Sequence, residues 1–391
     1  KTARGPRAVE VLQQFMSSRS TPQEQAVAAT MVANEQFVQQ DIQGAEQTLL
    51  EAANRTPAIE VAYALGNLYL TELKQPAKSV SWFDKAVDIA AQTNAPSLPA
   101  LLERRIVCLL DREVNDLARA HEEVAAFRRR FPEDPRGFLF QSEVQARAGE
   151  IEQAIASLTD YLAKRPNDMY ALTQRAQHQI AQGRLQAAVA DLERIKQTAS
   201  PSAATPARIL LARIHEREGQ MDRSLAELES LANEVPGSFA AYQELITAYI
   251  RQKRFPEADR IATGMINRAG DKPDPRWLFL RGRISMELKD AEKALADFRR
   301  GAEVAGQNSS AVGMVLSAYL GLNQFAKGVQ YYEGLGSRDE KDPDVLGTYA
   351  QLLARSDRAA QAADVLRNAM SIAMTASSPH LQSLMSNVRG A

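Results

Sequence analysis

A small residue returns at a nearly fixed interval along this 391-residue chain. The series is Ala45, Ser79, Ala120, Ala154, Ala188, Ser224, Ala258, Ala294, Gly328 and Ala362, with steps of 34, 41, 34, 34, 36, 34, 36, 34 and 34 residues. A period in that range belongs to stacked repeats, in which each unit packs on its neighbours and length grows without a larger core. The usual estimate of domain number from length therefore does not apply.

One unit shows the pattern most plainly. Tyr242, Leu245, Ile246 and Tyr249 fall on one face of a helix, and Ala258, Ala262 and Met265 on one face of another. Between them lies a short polar turn, Gln252 to Pro256, with the proline suited to the first turn of the second helix. Gly149, Gly183 and Gly219 each stand five residues before a small residue, where a left-handed cap ends the first helix. Pro57, Pro132, Pro166 and Pro236 each stand twelve residues after one, where the second helix stops. The unit is a pair of antiparallel helices, and the small residue marks their close approach. The 41-residue step is assigned to a loop over residues 91–99.

The bulk numbers remove several function classes. An apolar fraction of 45% is that of a folded chain, and 47 Lys+Arg against 48 Asp+Glu lacks the basic excess expected of a nucleic-acid binder. No apolar run approaches 18 residues, so direct membrane insertion is not expected. The single cysteine, Cys108, allows no internal disulfide and no multi-cysteine zinc site, and its place on a first helix reads as a buried, inert thiol. Phosphate loops, dinucleotide fingerprints and nucleophile elbows are all missing. His121-Glu122-Glu123-Val124-Ala125 lacks the second histidine of a zinc-protease motif, and His178 with His215 has no acid in phase to complete a metal site. No catalytic group, cofactor or metal is called for.

The segments 63–69 with 79–87 ("YALGNLY…SVSWFDKAV"), 149–168 ("GEIEQAIASLTDYLAKRPND") and 280–298 ("LRGRISMELKDAEKALADF") resemble the tetratricopeptide repeat family. The resemblance implies an all-α fold, an α-solenoid forming a right-handed superhelix of helix pairs. Ten repeats would fill residues 22–370, with 1–21 and 371–391 as terminal half repeats or caps. Ala8, Leu12 and Phe15 fit a second helix without its first, either a cap or the remnant of a longer array. Leu381, Leu384, Met385 and Val388 fit a first helix without its second. Gln141 and Arg175 depart from the family by standing at apolar positions, where their stems would pack and their polar ends reach water.

In that family five positions of each first helix face a concave groove. Transferred here, they give the arginines Arg105, Arg112, Arg136, Arg147, Arg213, Arg217, Arg251, Arg276, Arg283 and Arg355, with no lysine. The acids on the same positions are Glu60, Glu113, Glu143, Glu216, Glu287 and Asp344, and Tyr63, Tyr170 and Phe279 add aromatic surface. Phe37 and Leu70 make the N-terminal end more apolar. Arginine forks suit carboxylates, so the groove is expected to bind an extended acidic peptide. The competing expectation is that these charges neutralise one another between neighbouring helices. The carboxylate-clamp pair of Lys and Asn is replaced by Thr30/Asn34 and Tyr63/Asn67, and the asparagine ladder is missing.

The sequence thus predicts a non-catalytic scaffold for protein partners. The resemblance leaves open two other readings, an adaptor of a bacterial envelope export system and the regulatory arm of an enzyme. Compartment and oligomeric state stay undetermined, with cytoplasm and bacterial envelope both open.

Overall fold

A computed structural model of the chain describes residues 9–12, 14, 21–336 and 341–375. The chain divides into two compact units, residues 1–199 and 200–391. In unit one the helices are α1 (Pro22–Val38), α2 (Ile42–Arg55), α3 (Ile59–Thr71), α4 (Pro76–Gln92), α5 (Leu98–Leu109), α6 (Leu117–Arg130), α7 (Arg136–Arg147), α8 (Ile151–Lys164), α9 (Met169–Ala181) and α10 (Leu185–Thr198). In unit two they are α11 (Pro201–Arg217), α12 (Met221–Glu234), α13 (Phe239–Arg251), α14 (Phe255–Arg268), α15 (Pro275–Glu287), α16 (Ala291–Val304), α17 (Ser309–Gly321), α18 (Phe325–Gly334), α19 (Pro343–Ala354) and α20 (Ala359–Thr375). Odd helices open each repeat and even helices close it. No strand occurs among the described residues, and no described helix is long and apolar enough to cross a membrane. The fold is all-α, of the α-solenoid class.

Every repeat turns in the same way. The residue five before each small residue has a positive φ: Gln40, Lys74, Asn115, Gly149, Gly183, Gly219, Lys253, Lys289, Asn323 and Asp357. The next residue's N–H reaches back to a carbonyl of the first helix, as in Glu150 to Gln145 and Arg184 to Gln179, both 2.8 Å. This is the Schellman closure, which satisfies carbonyls that a helix end leaves open. Only three of the ten positions hold glycine. The other seven bear the roughly 1 kcal/mol steric cost of a left-handed side chain, because the turn places the second helix correctly.

The small residues lie where the helices meet. Ala45, Ser79, Ala120, Ala154, Ala188, Ser224, Ala258, Ala294 and Ala362 are all buried. A Cβ on Gly328 would come within 2.9 Å of both Tyr319 and Leu352. Ser79 uses the closeness, donating to the Gly66 carbonyl at 2.7 Å. Cys108 is fully buried with its Sγ 3.3 Å from Ser79 Oγ, and burial pushes its thiol pKa up.

Three expectations need correction. The long step does not come from residues 91–99 alone. α4 has 17 residues where most second helices have 14, and the turn over 110–116 is longer than its counterpart over 148–150. The array also extends to Thr375, beyond the expected boundary at 370; the motif over 381–388, with Ala8 and Phe15, lies outside the described residues. Finally, Gln141 and Arg175 do not send polar ends to water. Gln141 accepts from Arg128, and Arg175 grips buried Asp191 through two bonds of 2.8 and 2.6 Å.

That last contact recurs. Asp191, Asp297, Glu123 and Glu227 each stand three residues after a small residue, and each pairs with an arginine of its own first helix: Arg175, Arg281, Arg105 and Arg208. Arg175 and Arg281 also donate to Thr159 and Thr263 of the preceding repeat, at 3.0 and 3.2 Å. Arg175 and Arg281 therefore each tie a hairpin internally and to its neighbour, as Arg105 does through Asp84.

Two outcomes follow. Gly183→Ala is expected to lower stability by about 1 kcal/mol in urea unfolding, because a Cβ there meets no neighbour and the cost is backbone strain alone. Asp297→Ala is expected to cost about 3 kcal/mol by leaving Arg281 unpaired in the interior, and the double change Arg281→Leu with Asp297→Leu to recover most of it.

Candidate functional site

The first helices of repeats three to five line a groove of about 450 Å³ in unit one. Val107 and Leu139 supply apolar walls, and Tyr170, 50% exposed, stands over them. The Tyr170 hydroxyl donates to Glu143 at 2.9 Å. Burial and the nearby carboxylate push its pKa up to about 12, so the proton stays on tyrosine. Burial likewise pushes the Glu143 carboxyl up and the His178 imidazole down. Arg147 closes the groove from the end of α7, exposed and without a hydrogen bond or ion pair among the described residues.

A second, more apolar depression of about 280 Å³ lies between α1 and α3. Phe37 and Tyr63 flank it, and Asn34 and Asn67 stand at matching positions 33 residues apart. Leu70 packs instead against the neighbouring core.

The predicted arginines divide sharply. Arg105 is not on the groove face: it is 8% exposed and bound to Asp84 and Glu123 on second helices. Phe279 also turns inward, stacking on Phe298 with centroids 6.3 Å apart over the gap left by Gly301. Arg112 lies in the turn after α5, displaced by the longer connection there. Arg136 and Arg276 share one device missed in the sequence, an Asp-Pro-Arg start to the helix. Asp134 and Asp274 hold the arginine forks, at 2.6 and 2.5 Å, and cap the backbone at the same time. These guanidinium groups hold both aspartate pKa values below the usual carboxylate range.

Arg213 and Arg251 form a cross-brace between α11 and α13. Arg213 takes Glu244, and Arg251 takes Glu216 at 2.6 Å. Arg355 rests over the Phe325 ring at 5.8 Å. Arg217 and Arg283 are exposed and, like Arg147, make no ion pair among the described residues. Among those residues no cluster of three or more His, Cys, Asp or Glu is arranged to hold a metal.

Tetratricopeptide repeat family models match residues 109–168, 144–204 and 59–93. The matched segments are tetratricopeptide repeats. No curated protein matches the chain. Among solved structures, a tetratricopeptide repeat protein from Parabacteroides merdae ATCC 43184 is 16% identical over 79% of this chain and 98% of its own, with a TM-score of 0.40. Human IFIT1, in a dimer with PPP-AAAA, is 14% identical over 95% of each chain, at 0.35. MamA from Desulfovibrio magneticus RS-1 is 14% identical over 46% of this chain and 96% of its own, at 0.37. These likenesses are of fold alone. Tetratricopeptide repeats generally serve as non-catalytic scaffolds that bind proteins or peptides.

Glu143 yields a pH test. Its folded-state pKa lies above the ordinary 4.5, so its ionised form destabilises the folded chain at neutral pH. That penalty fades as pH falls through the raised value. Glu143→Gln is expected to raise the melting temperature at pH 7 and leave it unchanged near pH 4, read by thermal circular dichroism.

Proposed function

We propose that this chain is a non-catalytic scaffold whose first helices hold an extended segment of a partner protein. The segment lies in the groove of unit one, and its acidic position meets Arg147. One observation carries the reading: the groove of repeats three to five joins apolar walls at Val107 and Leu139, a half-exposed tyrosine and an arginine with open donors. The arginines that pair within the chain argue against a uniformly acidic ligand, since each has its carboxylate already.

The energetics are adequate. A hydrogen bond to a charged group contributes about 1.5–3 kcal/mol. A few such bonds with one apolar anchor approach the roughly −8 kcal/mol of micromolar binding. Arg147→Glu is expected to reduce capture of partners from the source cell at least about tenfold, read by pull-down with quantitative identification. Helicity and melting are expected to stay as they are, because Arg147 braces no neighbouring helix. Undiminished capture by the Arg147→Glu variant counts against the proposal.

A further inference from the structure

The second helices of unit two enclose a different feature, a slot of about 410 Å³ between α12 and α14, floored by Tyr242 and Leu245 of α13. Arg260, Gly264 and Arg268 follow one another at intervals of four along the α14 wall. Gly264 lies inside that helix, where glycine is among the least favourable residues. A Cβ built on Gly66, Gly282 or Gly328 would strike Phe83, Phe298 or Tyr319, so packing explains those glycines. A Cβ on Gly264 meets nothing within 4 Å. Its missing side chain serves no packing need; it leaves room in the slot.

The surrounding charges are unevenly satisfied. On the opposite wall Glu229 accepts the Tyr249 hydroxyl. Glu227 and Glu234 of the same helix pair with Arg208, Glu257 pairs with Arg254, and Asp259 with Lys293. Arg260 makes no hydrogen bond or ion pair among the described residues, and Arg268 reaches only the Met265 sulfur at 3.8 Å. Two guanidinium groups thus flank the Tyr242 and Leu245 floor with no carboxylate hydrogen-bonded to either, Glu257 sensing Arg260 only through space.

We infer that this slot binds an extended segment of a partner protein with the pattern acid, any, apolar, any, acid. Eight helical residues separate Arg260 from Arg268, about 12 Å along the axis. Four residues of extended chain span about 13 Å, and their first, third and fifth side chains point the same way. The central apolar side chain enters over Gly264 onto Tyr242 and Leu245, and the two carboxylates meet the two arginine forks. The slot's walls are second helices, its arginines lie on one of them, and it does not depend on the first-helix groove reading.

A fluorescein-labelled peptide, Gly-Gly-Glu-Ser-Leu-Ser-Glu-Gly-Gly, tests the inference by fluorescence anisotropy on the full chain. Saturable binding is expected below about 1 mM. Gly264→Leu is expected to weaken it at least about tenfold without lowering the melting temperature, since leucine favours the helix. Arg260→Glu with Arg268→Glu is expected to abolish it, and Arg217→Glu with Arg283→Glu to leave it unchanged. The inference is overturned if the unaltered chain shows no saturable binding up to that concentration, or if the Gly264→Leu chain binds as tightly.

Discussion

The structure depends on how closely two helices can approach at one residue per repeat. That approach sets the tilt of each hairpin, and the tilt decides which side chains of the next hairpin it meets. Alanine, serine or glycine is needed there because a larger group would push the helices apart, a cost of about 1–3 kcal/mol. The left-handed turn five residues earlier is the other half of the device. It reverses the chain within a few residues and delivers the second helix in register. Seven turns tolerate a strained non-glycine residue, a sign that the packing gained exceeds the strain.

The buried arginine–carboxylate pairs add a second level of order. Arg208, almost completely enclosed, binds Glu227, Ser230 and Glu234 at once. A pair this buried contributes little net stability compared with an apolar contact of the same size, because both charges lose their water. Its effect lies in what it forbids. A hairpin shifted by one helical position would strand a guanidinium in the interior, so the pair penalises wrong stacking more than it favours the right one. Where Arg175 and Arg281 also bond a threonine of the preceding repeat, the penalty extends across the junction between hairpins.

These two levels were not equally legible from the residues. The period could be read because steric exclusion leaves a mark on residue type at one position. The left-handed turns were visible only where glycine occupies them, as at Gly149, Gly183 and Gly219; Lys253 or Gln40 in the same conformation looks like any polar turn residue. The fate of the arginines was harder still. Arg105 and Arg213 have the same chemistry, yet one is buried against second helices and the other spans two first helices. Family positions place them on one face, but the partner acid lies 18 residues on for the first and 31 for the second. The signal available was an acid three residues after the small residue, present at Glu123, Asp191, Glu227 and Asp297. Phe279 was misplaced because the gap it fills is made by Gly301, on the other helix of the same repeat.

The same pairing logic determines where this surface can recognise anything. An arginine that holds its own carboxylate must lose that bond before it can take another, so it adds little to binding. Recognition therefore falls to groups that stacking leaves unsatisfied. On the proposed readings these include Arg147 beside Tyr170 in unit one and Arg260 with Arg268 around Gly264 in unit two. A charge count over a whole face misses this distinction, because it weighs a closed pair and an open fork alike. Specificity in such an array comes from the few positions where the internal network of pairs is incomplete.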